Sequence, residues 1–237
     1  MFRRFELYAV RPGAPPEDVH QLARACRDSG RYIPEVLDSA VGINLSEAPV
    51  RVVWEQAYAS PEAYQRYMVH PYHAAVIDRH ILSDNPERVV ADDTLGAGLV
   101  GYACGEPRYR MAAGVRRLVL LRVDREATGA AVDAMCAHLE AASAAVPAMT
   151  VSVVGANTMG SAWFDGVTPI MGPPRWTHLW EQGFGDLAQL EEYRNGPSEL
   201  AAAERAGWDG WRDGIVVRSA HAFYEIDALD RAAAPQP

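Results

Sequence analysis

The chain has 237 residues, 49% of them hydrophobic, enough to bury a substantial core as one large domain or two small ones. A formal charge of −9 sets a field that repels phosphates, so neither nucleic acid nor an anionic membrane surface is expected as a partner. Cys26, Cys104 and Cys136 have no CxxC spacing for zinc or a redox pair and read as reduced, structural thiols of a cytoplasmic protein.

From the start of the chain, Glu6 and Arg11 interrupt the first apolar stretch, so no secretion signal is expected. FELYAV alternates as a strand, and Val19, Leu22, Ala23 and Cys26 then have helical spacing behind the Pro15 and Pro16 pair. VLDSAVGINL and VRVVWEQAY read as two strands joined through the turn-prone SEAP. A helix from about Pro61, broken near Pro71 and resumed to about Leu82, leads to a short strand, ERVVAD. The glycine and proline of GEPRYRMAAG mark a linker. The same order follows again: RRLVLLRV, GAAVDAMCAHLEAAS, AMTVSVVGA, RWTHLWEQGF, a broken helix from Asp186 to Ala206, and GIVVRSAHAFYEI. The uncharged stretch from Ala141 to Phe164 contains Pro147, Gly155, Asn157 and Gly160, so a strand and loop explain it better than a membrane span.

The letters WEQ occur twice, at Trp54 and at Trp180, and each copy is followed by a tyrosine at the same distance, since 67 − 54 = 13 and 193 − 180 = 13. Each half therefore reads βαββαβ, residues 1–106 and 115–227, with a lid-like insertion at 158–174 in the second. A four-stranded antiparallel sheet with both helices on one face leaves its other face uncovered. Two ferredoxin-like repeats with their sheets face to face would close an α+β barrel, an internal pseudo-dimer that stands as a monomer or pairs again as a homodimer.

Tyr67, His70, Pro71 and His73 supply an aromatic, two spacers and HPxH on the second helix of the first half. In this the chain resembles the stress-responsive dimeric α/β-barrel (Dabb) family, as two tandem copies. A plant polyketide cyclase of that family closes a ring by intramolecular aldol condensation, using a tyrosine and the last histidine of the motif. The resemblance implies those roles for Tyr67 and His73, and it gives His178, on the strand before, a counterpart near the substrate. The second half departs from the pattern: Tyr193 and Pro197 remain, while Gly196 and Glu199 replace the two histidines.

Position by position, His73 is the candidate base, because an imidazole can remove an activated carbon-bound proton and return it within one turnover. Placed in the first turn after Pro71, it would be kept neutral by the positive end of the helix dipole. Tyr67 would polarise a carbonyl oxygen by donating its hydroxyl proton. His70 reads chiefly as a cap of the loop before Pro71, with substrate contact as the alternative. His178 and Glu199 are a second acid and base pair if both enter one cavity, and otherwise a buried structural ion pair or simply an exposed Glu199, the reading favoured here. Trp54, Trp180 and Tyr193 line the expected pockets, and Trp163, Trp176, Trp208 and Trp211 could wall a wide apolar cavity or simply fill the core. His73 and His80 are two turns apart, but Asp78 points elsewhere on a regular helix, so no metal site is expected.

The expected function is a cofactor-independent acid–base enzyme of secondary metabolism, with a small apolar or aromatic carbonyl substrate of polyketide type. Cyclisation, aldol condensation, isomerisation and lyase cleavage all fit. A non-catalytic, stress-associated binding protein is the first alternative. A haem-using oxygenase is the second, since related ferredoxin-like barrels bind haem through a histidine.

Overall fold

The structure, a computed structural model, describes residues 1–47, 50–82, 84–91, 99–103, 113–159 and 176–226. The first half holds β1 (Phe2–Ala9), α1 (Pro16–Tyr32), β2 (Val36–Ile43), β3 (Val50–Tyr58), α2 (Pro61–Met68) and β4 (Leu99–Ala103). The second holds β5 (Val115–Val123), α3 (Gly129–Glu140), α4 (Ala142–Ala145), β6 (Met149–Ala156), β7 (His178–Phe184), α5 (Leu187–Asn195), α6 (Glu199–Arg205) and β8 (Val216–Glu225). Helix starts are chemically marked. Pro16 opens α1, while the side chains of Ser60, Asp186 and Ser198 accept backbone N–H groups at the starts of α2, α5 and α6.

Each half forms one antiparallel sheet, in the orders β2-β3-β1-β4 and β6-β7-β5-β8. Strand alternation divides the side chains among three apolar layers. Trp54 and Tyr58 meet Leu22, Cys26 and Tyr67 under the helices of the first half, and Leu121 and Trp180 meet Met135 and Trp208 in the second. Phe5, Leu7 and Val53 pack between the sheets against Leu118, Leu120 and Leu179, so each half covers the face its partner would leave wet.

This division explains the repeated WEQ. The indole N–H groups of Trp54 and Trp180 turn toward the helices and donate to the hydroxyls of Ser39 and Ser152 at 2.9 and 2.8 Å. The intervening glutamates turn the other way, into the layer between the sheets. There Arg3 donates to Glu55 at 2.9 Å and to Glu181 at 2.5 Å, Arg116 donates to both acids, and the hydroxyls of Tyr224 and Tyr102 donate to Glu55 and Glu181 respectively. Two guanidiniums and two carboxyl groups share this layer, and removing one member of such a cluster costs several kcal/mol. The same two-fold relation governs close packing, since a Cβ on Gly42 would run into the ring of Tyr224 and one on Gly155 into that of Tyr102.

Two expectations change. ERVVAD does not close the first sheet: Val90 makes a single bridge to Val10, and Leu99–Ala103 is the strand beside β1. Val89 and Val90 are buried, so their β-branched character serves the helix-side core rather than a ladder. After Pro71 the chain does not resume an α-helix; it forms a π turn over His73–Ile77 and a 3₁₀ turn over Asp78–His80. Of the expected lid at 158–174, residues 160–174 lie outside the described residues, Trp163 among them. Its first two residues anchor to the other half: the Thr158 N–H donates to the Gly101 carbonyl at 2.7 Å, and Met159 is buried in the first core. No helix among the described residues is long and apolar enough to cross a membrane.

Candidate active site

On the helix side of the first sheet, an otherwise apolar layer contains a polar cluster. Arg4 and Glu6 from β1 form an ion pair, the Tyr8 hydroxyl donates to the same glutamate, and Gln56 on β3 accepts from Arg4 at 3.3 Å. The Arg4 guanidinium lies over the Tyr64 ring, 4.9 Å from its centre, and 5.8 Å from that of Tyr67. All of these side chains are buried.

His73 enters this cluster from the π turn. Its ring is 4% exposed and lies 4.5 Å from the Tyr67 ring, centre to centre. Nδ1 is 3.1 Å from the Met68 carbonyl, and a carbonyl only accepts, so Nδ1 carries the proton and Nε2 keeps its lone pair. Burial, followed by the nearby charge of Arg4, lowers the His73 pKa to about 3. The ring is neutral, but burial and Arg4 account for this rather than the helix dipole. Asp78 stands 3.5 Å from Nδ1, and its own burial raises its pKa to about 6.

Several buried polar atoms of the cluster make no well-formed hydrogen bond within the protein: the hydroxyls of Tyr58, Tyr64 and Tyr67, Nε2 of Gln56 and Nε of Arg4, although Gln56 comes near enough to Tyr67, and Arg4 to Tyr58, to act on those hydroxyls. Each such atom costs about 1–3 kcal/mol if nothing meets it, and their concentration beside His73 is what a polar ligand would satisfy. Burial pushes the Tyr67 hydroxyl well above its ordinary pKa, so it stays a proton donor.

The second half builds the equivalent place differently. Arg117 and Gln182 face each other across β5 and β7 as Arg4 and Gln56 do across β1 and β3. Here Arg117 donates to Glu204 of α6 at 2.5 Å and to Gln182 at 2.8 Å, and the Tyr193 hydroxyl also donates to Glu204. Burial works against the charge of Glu204, but Arg117 overcomes it and holds the carboxyl below its ordinary pKa. Tyr193 is thereby closed off where Tyr67 is open. His178 and Glu199 do not form the expected pair: His178 contacts the Thr177 hydroxyl at 3.0 Å, while the Glu199 side chain is 63% exposed and accepts from the Trp211 indole at 3.0 Å.

Of the other predicted residues, His70 accepts the Tyr72 N–H at 3.1 Å and so holds the helix break. Trp54 and Trp180 have their indoles on serines and pack in the two cores. Sequence reasoning missed Arg4, Glu6, Gln56 and Asp78 in the first half and Arg117, Gln182 and Glu204 in the second. The available signal was an RR pair on an apolar strand in both halves, at Arg3 and Arg4 and at Arg116 and Arg117. Among the described residues no three His, Cys, Asp or Glu side chains converge as a metal site.

Residues 2–94 match the family model of the stress responsive A/B barrel domain. Among solved structures, a protein from Fusobacterium nucleatum with a provisional monooxygenase name aligns over 95% of this chain and 91% of its own, at 5% identity and a TM-score of 0.60. An anthrone oxidase-like protein aligns over 95% and 90% at 12% identity and a TM-score of 0.58. A mutant chlorite dismutase from Candidatus Nitrospira defluvii aligns over 97% and 92% at 11% identity and a TM-score of 0.54. At such identities the likeness is one of fold. No curated protein sequence gives a significant match.

Proposed function

We propose that the protein, whose residues 2–94 match the model of the stress responsive A/B barrel domain, is a cofactor-independent acid–base enzyme acting on a polyketide-like carbonyl substrate, with His73 as base and Tyr67 as carbonyl polariser. The observation that carries this reading is the buried His73 ring, with Nδ1 committed to the Met68 carbonyl, beside a Tyr67 hydroxyl that makes no well-formed hydrogen bond and has only Gln56 near it. In the reaction, Nε2 takes a proton from a carbon next to a carbonyl, and the Tyr67 hydroxyl donates to the oxygen that becomes an enolate. The enolate carbon attacks a second carbonyl of the same molecule, and the imidazolium returns its proton to the resulting alkoxide. No atom is lost and nothing is oxidised.

The low basicity of His73 narrows the substrate. An imidazole held near pKa 3 removes a proton efficiently only from a strongly activated carbon, such as one lying between two carbonyls. Arg4, the cation that disfavours the imidazolium, would favour the enolate. Polyketide chains carry such 1,3-dicarbonyl units. The test is proton exchange in deuterium oxide, followed by NMR, on a panel of 1,3-diketones and simple ketones. Exchange of the diketones alone, abolished in His73→Ala, supports the reading. Tight binding without exchange would instead make this a carrier, and a visible absorption band in the purified protein would remove the cofactor-free assignment.

A further inference from the structure

The second half contains a recess that the reaction does not use. A cavity of about 300 Å³ lies between β5, β8 and the α5–α6 pair, with Arg117, Glu204 and Trp208 in its wall. A further space of about 530 Å³ continues toward the first half, where Leu45, Ser46 and Glu47 form its rim with Phe223. Glu191, Arg194 and His221 line both, so the two make one continuous recess. The rim is fixed across the halves, since the Leu45 N–H donates to the Phe223 carbonyl at 2.9 Å and the Ser46 hydroxyl to the His221 carbonyl at 3.4 Å.

Three features give the recess its chemistry. Glu204 is already committed to Arg117 and Tyr193, which removes the one deeply buried acid from competition for a ligand. Burial and Arg117 hold His221 at about 4, so it is uncharged at neutral pH. Arg205 spends Nη1 on the Arg194 and Gly196 carbonyls, and Arg194 pairs with the half-exposed Glu191 and lies over the Phe223 ring, so in the wall of the inner cavity two guanidiniums stand with Glu191 as the carboxylate not already held by Arg117. Deeper in, Trp208 is buried at a φ of +69°, a left-handed conformation that a bulky side chain adopts only when its surroundings impose it. Its ring stands edge-on to Trp180 and Trp211, in a fixed position in the wall.

We propose that this recess binds a small aromatic carboxylate, with its ring against Trp208 and its carboxylate on Arg194 and Arg205, independently of His73. A space of about 300 Å³ suits a single-ring molecule, and paired guanidiniums suit a planar carboxylate. The test is calorimetric titration with benzoate, with benzyl alcohol as the neutral control, on the wild-type chain and on Arg194→Gln and His73→Ala, their folding checked by circular dichroism. The expected result is saturable binding of benzoate that weakens about tenfold in Arg194→Gln, is unchanged in His73→Ala and is not matched by benzyl alcohol. Absence of saturation up to about 10 mM, equal binding of the alcohol, or loss of binding in His73→Ala would each overturn the proposal.

Discussion

The two halves share an arginine, a glutamine and a tyrosine at matching positions, yet the arginine finds its acid in different places. In the first half Arg4 takes Glu6 from its own strand. In the second, Val119 stands where Glu6 does, and Arg117 reaches up to Glu204 on the helix. Glu204 and Asp78 both lie eleven residues beyond their tyrosines, since 204 − 193 = 11 and 78 − 67 = 11. The acid eleven residues on is thus held by arginine and tyrosine in the second half, and stands beside His73 in the first.

The largest effect expected from this contrast is kinetic. His73→Ala should lower turnover by about 10²–10⁴-fold with the urea midpoint retained, whereas Glu199→Ala, at the matching position, should change neither. Next comes the buried cluster between the sheets, where Glu55→Gln leaves Arg3 and Arg116 short of a carboxylate and should cost about 3–5 kcal/mol in denaturant unfolding. Glu181→Gln should cost less. Burial, with Glu55 nearby, pushes Glu181 up to about 7, while Arg116 and Arg3 hold Glu55 below its ordinary value in spite of its burial. The sign follows from the raised value: the contribution of Glu181 is complete below its unfolded pKa of 4.5 and fades as pH climbs to about 7. Urea midpoints across that window should therefore fall less with pH in Glu181→Gln than in the wild type.

Smaller effects separate the two tyrosines. Tyr67→Phe should lower kcat about tenfold with little change in stability, because its hydroxyl makes no well-formed hydrogen bond in the protein. Tyr193→Phe removes a hydrogen bond from Glu204 and should cost about 1 kcal/mol of stability without touching kcat. On the proposed mechanism Asp78, held at about 6 and 3.5 Å from the His73 Nδ1, would support the base through its negative charge. kcat/KM should fall as pH drops through about 6, and Asp78→Asn should remove that limb of the profile. Gly42→Ala and Gly155→Ala, each driving a Cβ into a tyrosine ring of the opposite half, should cost similar amounts, about 1–3 kcal/mol.

The repeat made much of this fold legible. Matched WEQ and tyrosine spacings place the paired strands and helices of both halves, because tryptophan and glutamate must face opposite sides of a strand. The closing strand of the first half is hard to place from sequence because Val89 and Val90 look like a ladder segment, while LVGYA is short and sits among Gly96, Gly98, Gly101 and Gly105. Asp78 was set aside because a regular helix has 3.6 residues per turn, which separates positions 73 and 78. The π turn, in which the Asp78 N–H donates to the His73 carbonyl five residues back, brings them together. Arg4 escapes a sequence reading because an arginine on a strand ordinarily faces solvent; its ion pair with Glu6, its bond to Gln56 and the Tyr64 ring hold it inside.

The central claim is the state of one imidazole, and nitrogen-15 NMR of His73 across pH 4 to 8 reads it directly. The account predicts a neutral ring protonated at Nδ1 throughout, with Nε2 showing the shift of an unprotonated nitrogen. A ring that titrates near its ordinary 6.5, or one carrying its proton on Nε2, would contradict it.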